Sequence, residues 1–263
     1  MERINQKGIW LSGYLLIMLF LFTRGFYSPF FVVLITLLLL MLFLKEAERL
    51  FAWMIISFFL GNLLLGYMDH FIEGFHLSAF SLIMLSQLLW LVPILMMGYV
   101  IKQFNQESIP YFHQPIFTMD IHLPFRIVFS FKRFLLICGL LALIALISTF
   151  LFQKEEIQWR LFLLILLFSM INALLEEVVW RGMLLAKLIM ITNQPIGIIV
   201  TSIAFGINTT MFGFSSVICI TYIFLGLVLG FLTVESRSIF PAMIVHTLVT
   251  TLLFMNGSMP LPV

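Results

Sequence analysis

The sequence predicts an all-α fold, a polytopic membrane helix bundle of about eight or nine transmembrane helices. Two compositional observations support this prediction. Hydrophobic residues make up 62% of the 263 residues and charged residues only 10%, whereas an ordinary soluble domain is about 45–50% apolar and about 25% charged. The mean hydropathy is +1.16. A third observation is that nine apolar runs reach or approach the roughly 20 residues that cross a bilayer: 9–23, 26–44, 51–68, 77–101, 134–152, 160–190, 196–213, 215–234 and 239–256.

The same composition excludes several classes of protein. A disordered chain, a disulfide-stapled secreted module and a free-standing soluble enzyme all need far fewer apolar or more charged residues. The net charge of +2 is small and scattered along the chain, so nucleic acid is not expected as a partner. Cys138 and Cys219 both lie inside apolar runs without metal-ligand spacing, and we interpret them as small buried side chains.

Two of the nine runs depart from a simple span. Run 9–23 is short and close to the second run, so it is either a full crossing or one arm of a tilted hairpin. No small-residue cleavage site follows it, which favours a retained anchor over a removed signal peptide. Run 160–190 has 31 residues, and as one helix it would extend roughly 46 Å. It must therefore tilt, break or continue along the membrane surface.

Lysine and arginine placement predicts the orientation of the spans, because cytoplasmic loops are enriched in both. With the N-terminus inside, ten cations fall in inner segments and three in outer segments. The inner ones are Arg3, Lys7, Lys45, Arg49, Lys102, Arg126, Lys132, Arg133, Lys187 and Arg237, and the outer ones are Arg24, Lys154 and Arg160. We therefore predict a cytoplasmic N-terminus, in the plasma membrane of a bacterium.

The longest polar stretch, residues 102–133, separates two parts of the chain. Three prolines interrupt any continuous helix there, and its later part mixes aromatic residues with cations, which is typical of a segment at the inner membrane interface. We divide the chain into accessory transmembrane helices with an interfacial loop over 1–133, and a membrane core over 134–263 that carries the chemistry.

The most informative stretch is Leu174 to Gly182, where Glu176, Glu177 and Arg181 interrupt an apolar run. A charge at mid-bilayer costs at least about 2.5–3.5 kcal/mol, so such residues usually have a function. On a helix, Glu177 and Arg181 are four residues apart in the favourable order for an ion pair. Glu176 is rotated by about 100° from Glu177, so one arginine does not easily neutralise both. Two interpretations are open. In the first, Glu176 is a general base beside a Glu177–Arg181 ion pair. In the second, the three residues form a structural ion-pair network.

Three further features lie in later runs. His246 and Thr250 follow Pro241 on one helical face; a lone histidine of this kind is as often a packing residue as a catalytic one. Asn208, Thr209 and Thr210 come together in one span, where threonine hydroxyls can bond to their own helix and asparagine more often faces a helix bundle. Gly226 and Gly230 form a Gly-x-x-x-Gly motif, which indicates close helix packing.

In order and spacing, these residues resemble the CAAX protease and bacteriocin-processing (CPBP, or Abi) family of intramembrane endopeptidases. The resemblance covers about residues 134–253. The first motif, Glu-Glu-x-x-x-Arg, matches fully, Phe205 matches the start of the second motif, and His246 matches the start of the last. The resemblance implies that Glu176 activates water, that Glu177 and Arg181 support it, and that His246 donates to the oxyanion.

Two positions depart from the family pattern. The histidine of the second motif falls on Thr209, and the asparagine of the last motif falls on Thr250. Threonine can donate to an oxyanion but cannot replace histidine as a proton acceptor or metal ligand. The departure is similar to the branch around lysostaphin-resistance protein A. We expect Asn208, Thr209 and Thr250 to line the site as substitutes for the family's residues. The sequence indicates no certain cofactor and no metal ligand. A divalent metal is still possible, but the absence of the second-motif histidine removes support for it.

The other histidines do not supply the missing one. His70, His76, His113 and His122 fall in predicted loops before the core. His70 and Glu73 could share a helical face as a metal site, but a solvated loop is the better interpretation of this short, glycine-containing spacing.

Three functions follow, in order of preference. The first is a CPBP-type intramembrane peptidase that hydrolyses a membrane protein or peptide by glutamate-activated water. The second is a catalytically degraded relative, a pseudoenzyme that acts as a membrane scaffold or regulator of a cell-envelope partner. The third is a transporter with Glu176 and His246 as a proton relay, which is weaker because we find no internal repeat of the kind many transporters carry.

Overall fold

The computed structural model describes residues 5–107, 109–115, 120–123, 127–152, 159–213 and 215–257. Helices dominate these residues: α1 (Gln6–Thr23), α2 (Tyr27–Leu40), α3 (Glu46–Glu73), α4 (Ala79–Leu88), α5 (Leu91–Gln103), α6 (Phe131–Phe152), α7 (Trp159–Glu177), α8 (Ala186–Ile191), α9 (Gln194–Asn208), α10 (Ser216–Ser236) and α11 (Phe240–Met255). A π-helical segment, Val178–Leu185, joins α7 to α8. Short 3₁₀ turns, Met41–Phe43 and Thr209–Phe212, extend α2 and α9.

The chain is an integral membrane helix bundle, which confirms the predicted all-α class. Among the described residues, five helical stretches are long and apolar enough to cross a membrane: Gln6–Thr23, Glu46–Glu73, Phe80–Gln103, Trp159–Ile191 and Ser216–Ser236. Tyr27–Phe43 and Phe240–Met255 are shorter apolar helices. The first run thus forms a helix of spanning length. The count of eight or nine spans, and the division at residues 133 and 134, stay predictions.

Local chemistry explains where several helices begin and break. The side chains of Asn193 and Ser215 accept hydrogen bonds from backbone N–H groups in the first turns of α9 and α10, which satisfies donors that a helix start leaves free. The run 77–101 is a single predicted span, but it is divided at Leu89 and Trp90. Pro93 follows this division and has no N–H to donate to the carbonyl of Leu89, so the helix is interrupted there.

A short antiparallel hairpin forms in the later part of the polar stretch. Strand β1 (Asp120–Leu123) pairs with β2 (Ile127–Ser130), with Asp120 opposite Ser130 and Leu123 opposite Ile127. The β-branched and aromatic residues of this stretch are good strand formers. His122 therefore lies in a strand and not in a loop, and His70 lies in α3, which continues to Glu73. Of the cations used for orientation, Arg3, Arg126 and Lys154 lie outside the described residues.

Helices α9 and α10 pack closely because glycines remove side chains at their contact. A Cβ atom on Gly226 would lie 2.9 Å from the Cα of Ser202, and one on Gly230 would lie 3.2 Å from Cγ2 of Ile198. A Cβ on Gly206 would lie 2.7 Å from the carbonyl oxygen of Cys219. The two backbones therefore approach each other at distances that leave no room for side chains.

The loop after α5 returns to the core half of the bundle. The backbone N–H of Ile239 donates to the carbonyl of Tyr111 at 3.0 Å, and the Ser238 hydroxyl donates to the carbonyl of His113 at 2.6 Å. A Cβ on Gly182 would lie 2.6 Å from Cγ2 of Ile109. These contacts hold the loop against the π-helical segment and the turn between α10 and α11.

Candidate active site

The long helical stretch Trp159–Ile191 changes its winding at the two adjacent glutamates. Glu177 is the last residue of α7, and Arg181 lies in the π-helical segment that follows. The 31-residue apolar run lies within one continuous helical stretch, and eight of its residues are π-helical. Such segments are rare and occur often at functional sites.

Glu177 and Arg181 form a fully buried ion pair. Nη1 of Arg181 donates to Oε1 of Glu177 at 2.8 Å, and both residues are at most 1% exposed. Nη2 of Arg181 donates to the carbonyl of Gly226 in α10 at 3.4 Å. The guanidinium carbon lies 4.3 Å from the centre of the Phe205 ring, a cation–π contact. Arg181 is thus held by α7, α9 and α10 together.

His246 of α11 lies between the two glutamates. Its Nδ1 is 2.8 Å from Oε1 of Glu177, and its Nε2 is 3.5 Å from Oε2 of Glu176. Because ionised Glu177 only accepts, Nδ1 carries a hydrogen and Nε2 is the nitrogen directed at Glu176. The imidazole is fully buried, and it is nearly perpendicular to the Phe205 ring at a centroid distance of 5.5 Å.

The Glu176 carboxylate has one oxygen without a hydrogen-bond partner among the described residues, as does the Glu177 carboxylate. The side chain of Asn172, one turn earlier on α7, hydrogen-bonds to it. Within the described part of the chain, neither Oε2 of Glu176 nor Nε2 of His246 has a hydrogen-bond partner. Glu176 is 6% exposed and Glu177 is 0% exposed. The arginine thus pairs with Glu177, while Glu176 faces the histidine.

Charge balance limits the protonation of this cluster. Two carboxylates stand beside one permanent cation, so the cluster carries a net negative charge until a proton is added to His246 or to Glu176. Uncompensated charge is costly in an apolar interior. The second carboxylate, that of Glu176, lies 3.5 Å from the imidazole of His246.

The second-motif positions on α9 are buried, as a site lining requires. Asn208 is 2% and Thr209 is 5% exposed. The Thr209 hydroxyl donates to the carbonyl of Gly206 at 2.7 Å, and the Thr210 hydroxyl donates to that of Ile207 at 2.7 Å. Both threonines thus use their protons within their own helix. Oδ1 of Asn208 has no hydrogen-bond partner among the described residues.

An aromatic shell, which the sequence interpretation did not include, surrounds the charged cluster. Trp180 packs on Phe205 with a centroid distance of 5.8 Å, and Tyr222 packs on the same ring at 5.3 Å. The Tyr222 hydroxyl lies 3.5 Å from Oγ1 of Thr250. Asn172 was missed as well. Neutral polar residues at membrane depth give a weak sequence signal, although Tyr222 lies four residues before Gly226 on one helical face.

Within the described residues, no group of three His, Cys, Asp or Glu side chains is placed to hold a metal ion. His70 and Glu73 approach to 3.3 Å, but their side chains are 88% and 66% exposed. This pair is a surface contact at the end of α3.

Comparison with known proteins supports the resemblance from the motifs. Residues 157–252 match the family model described as type II CAAX prenyl endopeptidase Rce1-like. The match includes the two glutamates, Arg181 and His246. No curated protein and no solved structure matches the chain. The resemblance to CAAX-type endopeptidases is therefore confirmed for this segment, and at the family level the chain is similar to an intramembrane peptidase of this type.

Proposed function

Because residues 157–252 match the Rce1-like endopeptidase family, we propose that this protein is an intramembrane endopeptidase with Glu176 as its general base. The observation that carries the proposal is the Glu176–His246 approach. Oε2 of Glu176 and Nε2 of His246 face each other at 3.5 Å, and neither has a hydrogen-bond partner among the described residues. Two buried polar atoms that lack hydrogen-bond partners can bind a ligand that offers both a hydrogen-bond donor and a hydrogen-bond acceptor.

Glu176 begins the reaction by taking a proton from water. The water oxygen attacks the carbonyl carbon of the scissile peptide bond, and the electron pair of the C=O double bond moves to the carbonyl oxygen. A positioned carboxylate contributes about 10²–10⁴-fold in such a step. Asn172 hydrogen-bonds to the carboxylate and fixes its orientation.

His246 stabilises the negative charge that forms on the substrate oxygen. Its Nδ1–H stays bonded to Glu177 at 2.8 Å, so an imidazolium at this position presents its Nε2–H toward the reacting group. The contact with Arg181 at 2.8 Å holds the Glu177 carboxylate in place, as the carboxylate partner of a catalytic histidine must be held. When the C–N bond breaks, Glu176 returns its proton to the leaving nitrogen.

The substrate class follows from the surroundings of the site. The cluster lies within an apolar helical stretch and is almost completely buried, so we propose a membrane protein or membrane-associated peptide, cut near the interface. Prenylated peptides, peptide pheromones and bacteriocin precursors belong to this class. We propose that Asn208, Thr209 and Thr250 line the substrate site. The excess of lysine and arginine in one set of loops supports a cytoplasmic N-terminus in a bacterial plasma membrane.

A cleavage assay in proteoliposomes tests the proposal. Two internally quenched probes are used, a hydrophobic transmembrane peptide and a farnesylated Cys-a-a-X peptide. We expect the wild type to cleave at least one, and Glu176→Gln to reduce the rate by about 10²-fold or more. Glu235→Gln in α10 is the matched control, because it removes a carboxylate outside the cluster. Cleavage of neither probe, or equal rates for Glu176→Gln and wild type, would overturn the proposal.

A second candidate function is that of a non-catalytic scaffold for a cell-envelope partner. The observation that favours it is Thr209, which stands where the family has histidine and whose hydroxyl donates to its own helix. A scaffold would retain its partner in Glu176→Gln cells and cleave nothing. Loss of the bound partner in those cells would count against this function.

A further inference from the structure

We propose that Tyr222 is a further catalytic residue, the second hydrogen-bond donor to the oxyanion beside His246. The proposal rests on the peptidase function above. It assigns a role to a residue that lies outside the three motifs, on the helix that packs behind the site. Thr250 is its positioning partner.

Tyr222 is placed against the reacting groups from α10. It is 3% exposed, and its ring lies 6.1 Å from the imidazole of His246 at an interplanar angle of 78°. It is also within electrostatic range of the Glu176 carboxylate. The phenol is therefore beside His246, the first donor to the oxyanion.

The Tyr222 hydroxyl also has a partner that can orient it. It lies 3.5 Å from Oγ1 of Thr250 on α11, one turn beyond His246. This is a long hydrogen bond, and a bond from a phenol to a charged oxygen is shorter and stronger than one between neutral groups. The hydroxyl can therefore move from Thr250 to an oxyanion with a gain in bond strength.

The substitution at position 250 creates a need for such a donor. Threonine stands there in place of the asparagine of the family's last motif, and its side chain is shorter by one heavy atom than that of asparagine. Tyr222 extends across from α10 to the Oγ1 of Thr250, so a phenol–hydroxyl pair occupies the place of a carboxamide. A neutral tyrosine donates one hydrogen bond, which is what an oxyanion requires.

Tyr222 transfers no proton in this role. As the water oxygen bonds to the carbonyl carbon, the electron pair of the C=O double bond moves to the oxygen. The Tyr222 O–H and the His246 Nε2–H then donate to that oxygen. When the carbonyl re-forms, the C–N bond breaks and both donors are released unchanged.

The test compares Tyr222→Phe with a matched tyrosine variant. Phenylalanine keeps the ring contacts with Phe205 and removes only the hydroxyl. Tyr14→Phe is the control, because the Tyr14 hydroxyl lies 3.3 Å from Oγ1 of Thr36, a similar Tyr–Thr pair in the first two helices. Both variants are reconstituted in proteoliposomes and assayed with the probe that the wild type cleaves.

We expect Tyr222→Phe to reduce kcat by about 10²-fold, which is the low end for removal of one oxyanion donor, with KM nearly unchanged. Tyr14→Phe should keep the wild-type kcat. If Tyr222→Phe and the wild type have equal kcat values while Glu176→Gln is inactive, the proposed role of Tyr222 is overturned but the peptidase function is not. A wild type that cleaves neither probe would overturn the peptidase function and, with it, this inference.

Discussion

His246 and Glu177, which are 69 positions apart in sequence, share a buried hydrogen bond of 2.8 Å between Nδ1 and Oε1. This bond connects α11 to the end of α7 and fixes which imidazole nitrogen faces Glu176. The same carboxylate oxygen accepts from Arg181. One oxygen of Glu177 therefore joins the cation and the histidine into a single network.

Replacing His246 should affect catalysis more than folding. His246→Gln keeps a side chain that can donate to Glu177, but it removes the second ring nitrogen beside Glu176. We expect a fall in cleavage rate of about 10²–10³-fold, as for the loss of an oxyanion donor, with a modest change in thermal stability. His70→Gln is the control, since the His70 side chain is 88% exposed. A wild-type rate in His246→Gln would remove the histidine from the mechanism.

Breaking the Glu177–Arg181 pair should destabilise the protein. Arg181→Met leaves Glu177 buried without its cation, and removing one partner of a buried pair costs about 3–5 kcal/mol. The double variant Glu177→Gln, Arg181→Met removes both charges and should recover much of the thermal stability. Unfolding temperatures in detergent measure this difference. We expect the double variant to stay inactive, because the histidine has lost its ionised partner; recovery of cleavage would contradict that role.

The α9–α10 contact should tolerate no side chain at Gly226. In Gly226→Ala the new Cβ would lie 2.9 Å from the Cα of Ser202, and backbone atoms cannot move aside without separating the helices. Overpacking of this kind costs about 1–3 kcal/mol. We expect a lower unfolding temperature and a lower cleavage rate, because the Gly226 carbonyl also accepts from Arg181. Gly13→Ala, whose Cβ meets no described atom within 4 Å, should unfold like the wild type.

Asn172 should act on rate through Glu176. Asn172→Leu removes the hydrogen bond to the carboxylate while keeping a side chain of similar size. We expect kcat to fall by about tenfold, the effect of roughly 1.4 kcal/mol on the barrier, and KM to change little. Asn172→Asp is a poor substitute because it adds a third carboxylate. An unchanged kcat in Asn172→Leu would show that the carboxylate is oriented by other contacts.

The charged part of the site was predictable from the sequence because charge at membrane depth is expensive. Glu176, Glu177 and Arg181 stand out on that ground alone, and their four-residue spacing predicts the observed pair. The contact of His246 with both glutamates was not predictable in the same way, since it depends on how α11 packs against α7. The catalytic roles stay predictions.

The features that the sequence did not reveal carry weaker physical signals. The hairpin Asp120–Ser130 lies in a stretch whose prolines only exclude helix, and the π-helical segment differs from α-helix by a small change in winding that leaves hydrophobicity unaltered. Tyr222 lies in an apolar helix, where a neutral phenol costs little. Its position beside His246 emerges only from the packing of α10 against α11.

The most direct test of the central claim, that the natural chain hydrolyses peptide bonds with threonine at position 209, is the cleavage rate of the wild type beside that of Thr209→His. Both are measured in the same proteoliposomes, with Glu176→Gln as the inactive reference. We predict measurable Glu176-dependent cleavage by the wild type and a change of less than about tenfold, or 1.4 kcal/mol in barrier, in Thr209→His. Cleavage by Thr209→His together with none by the wild type would contradict the claim and identify a degraded peptidase.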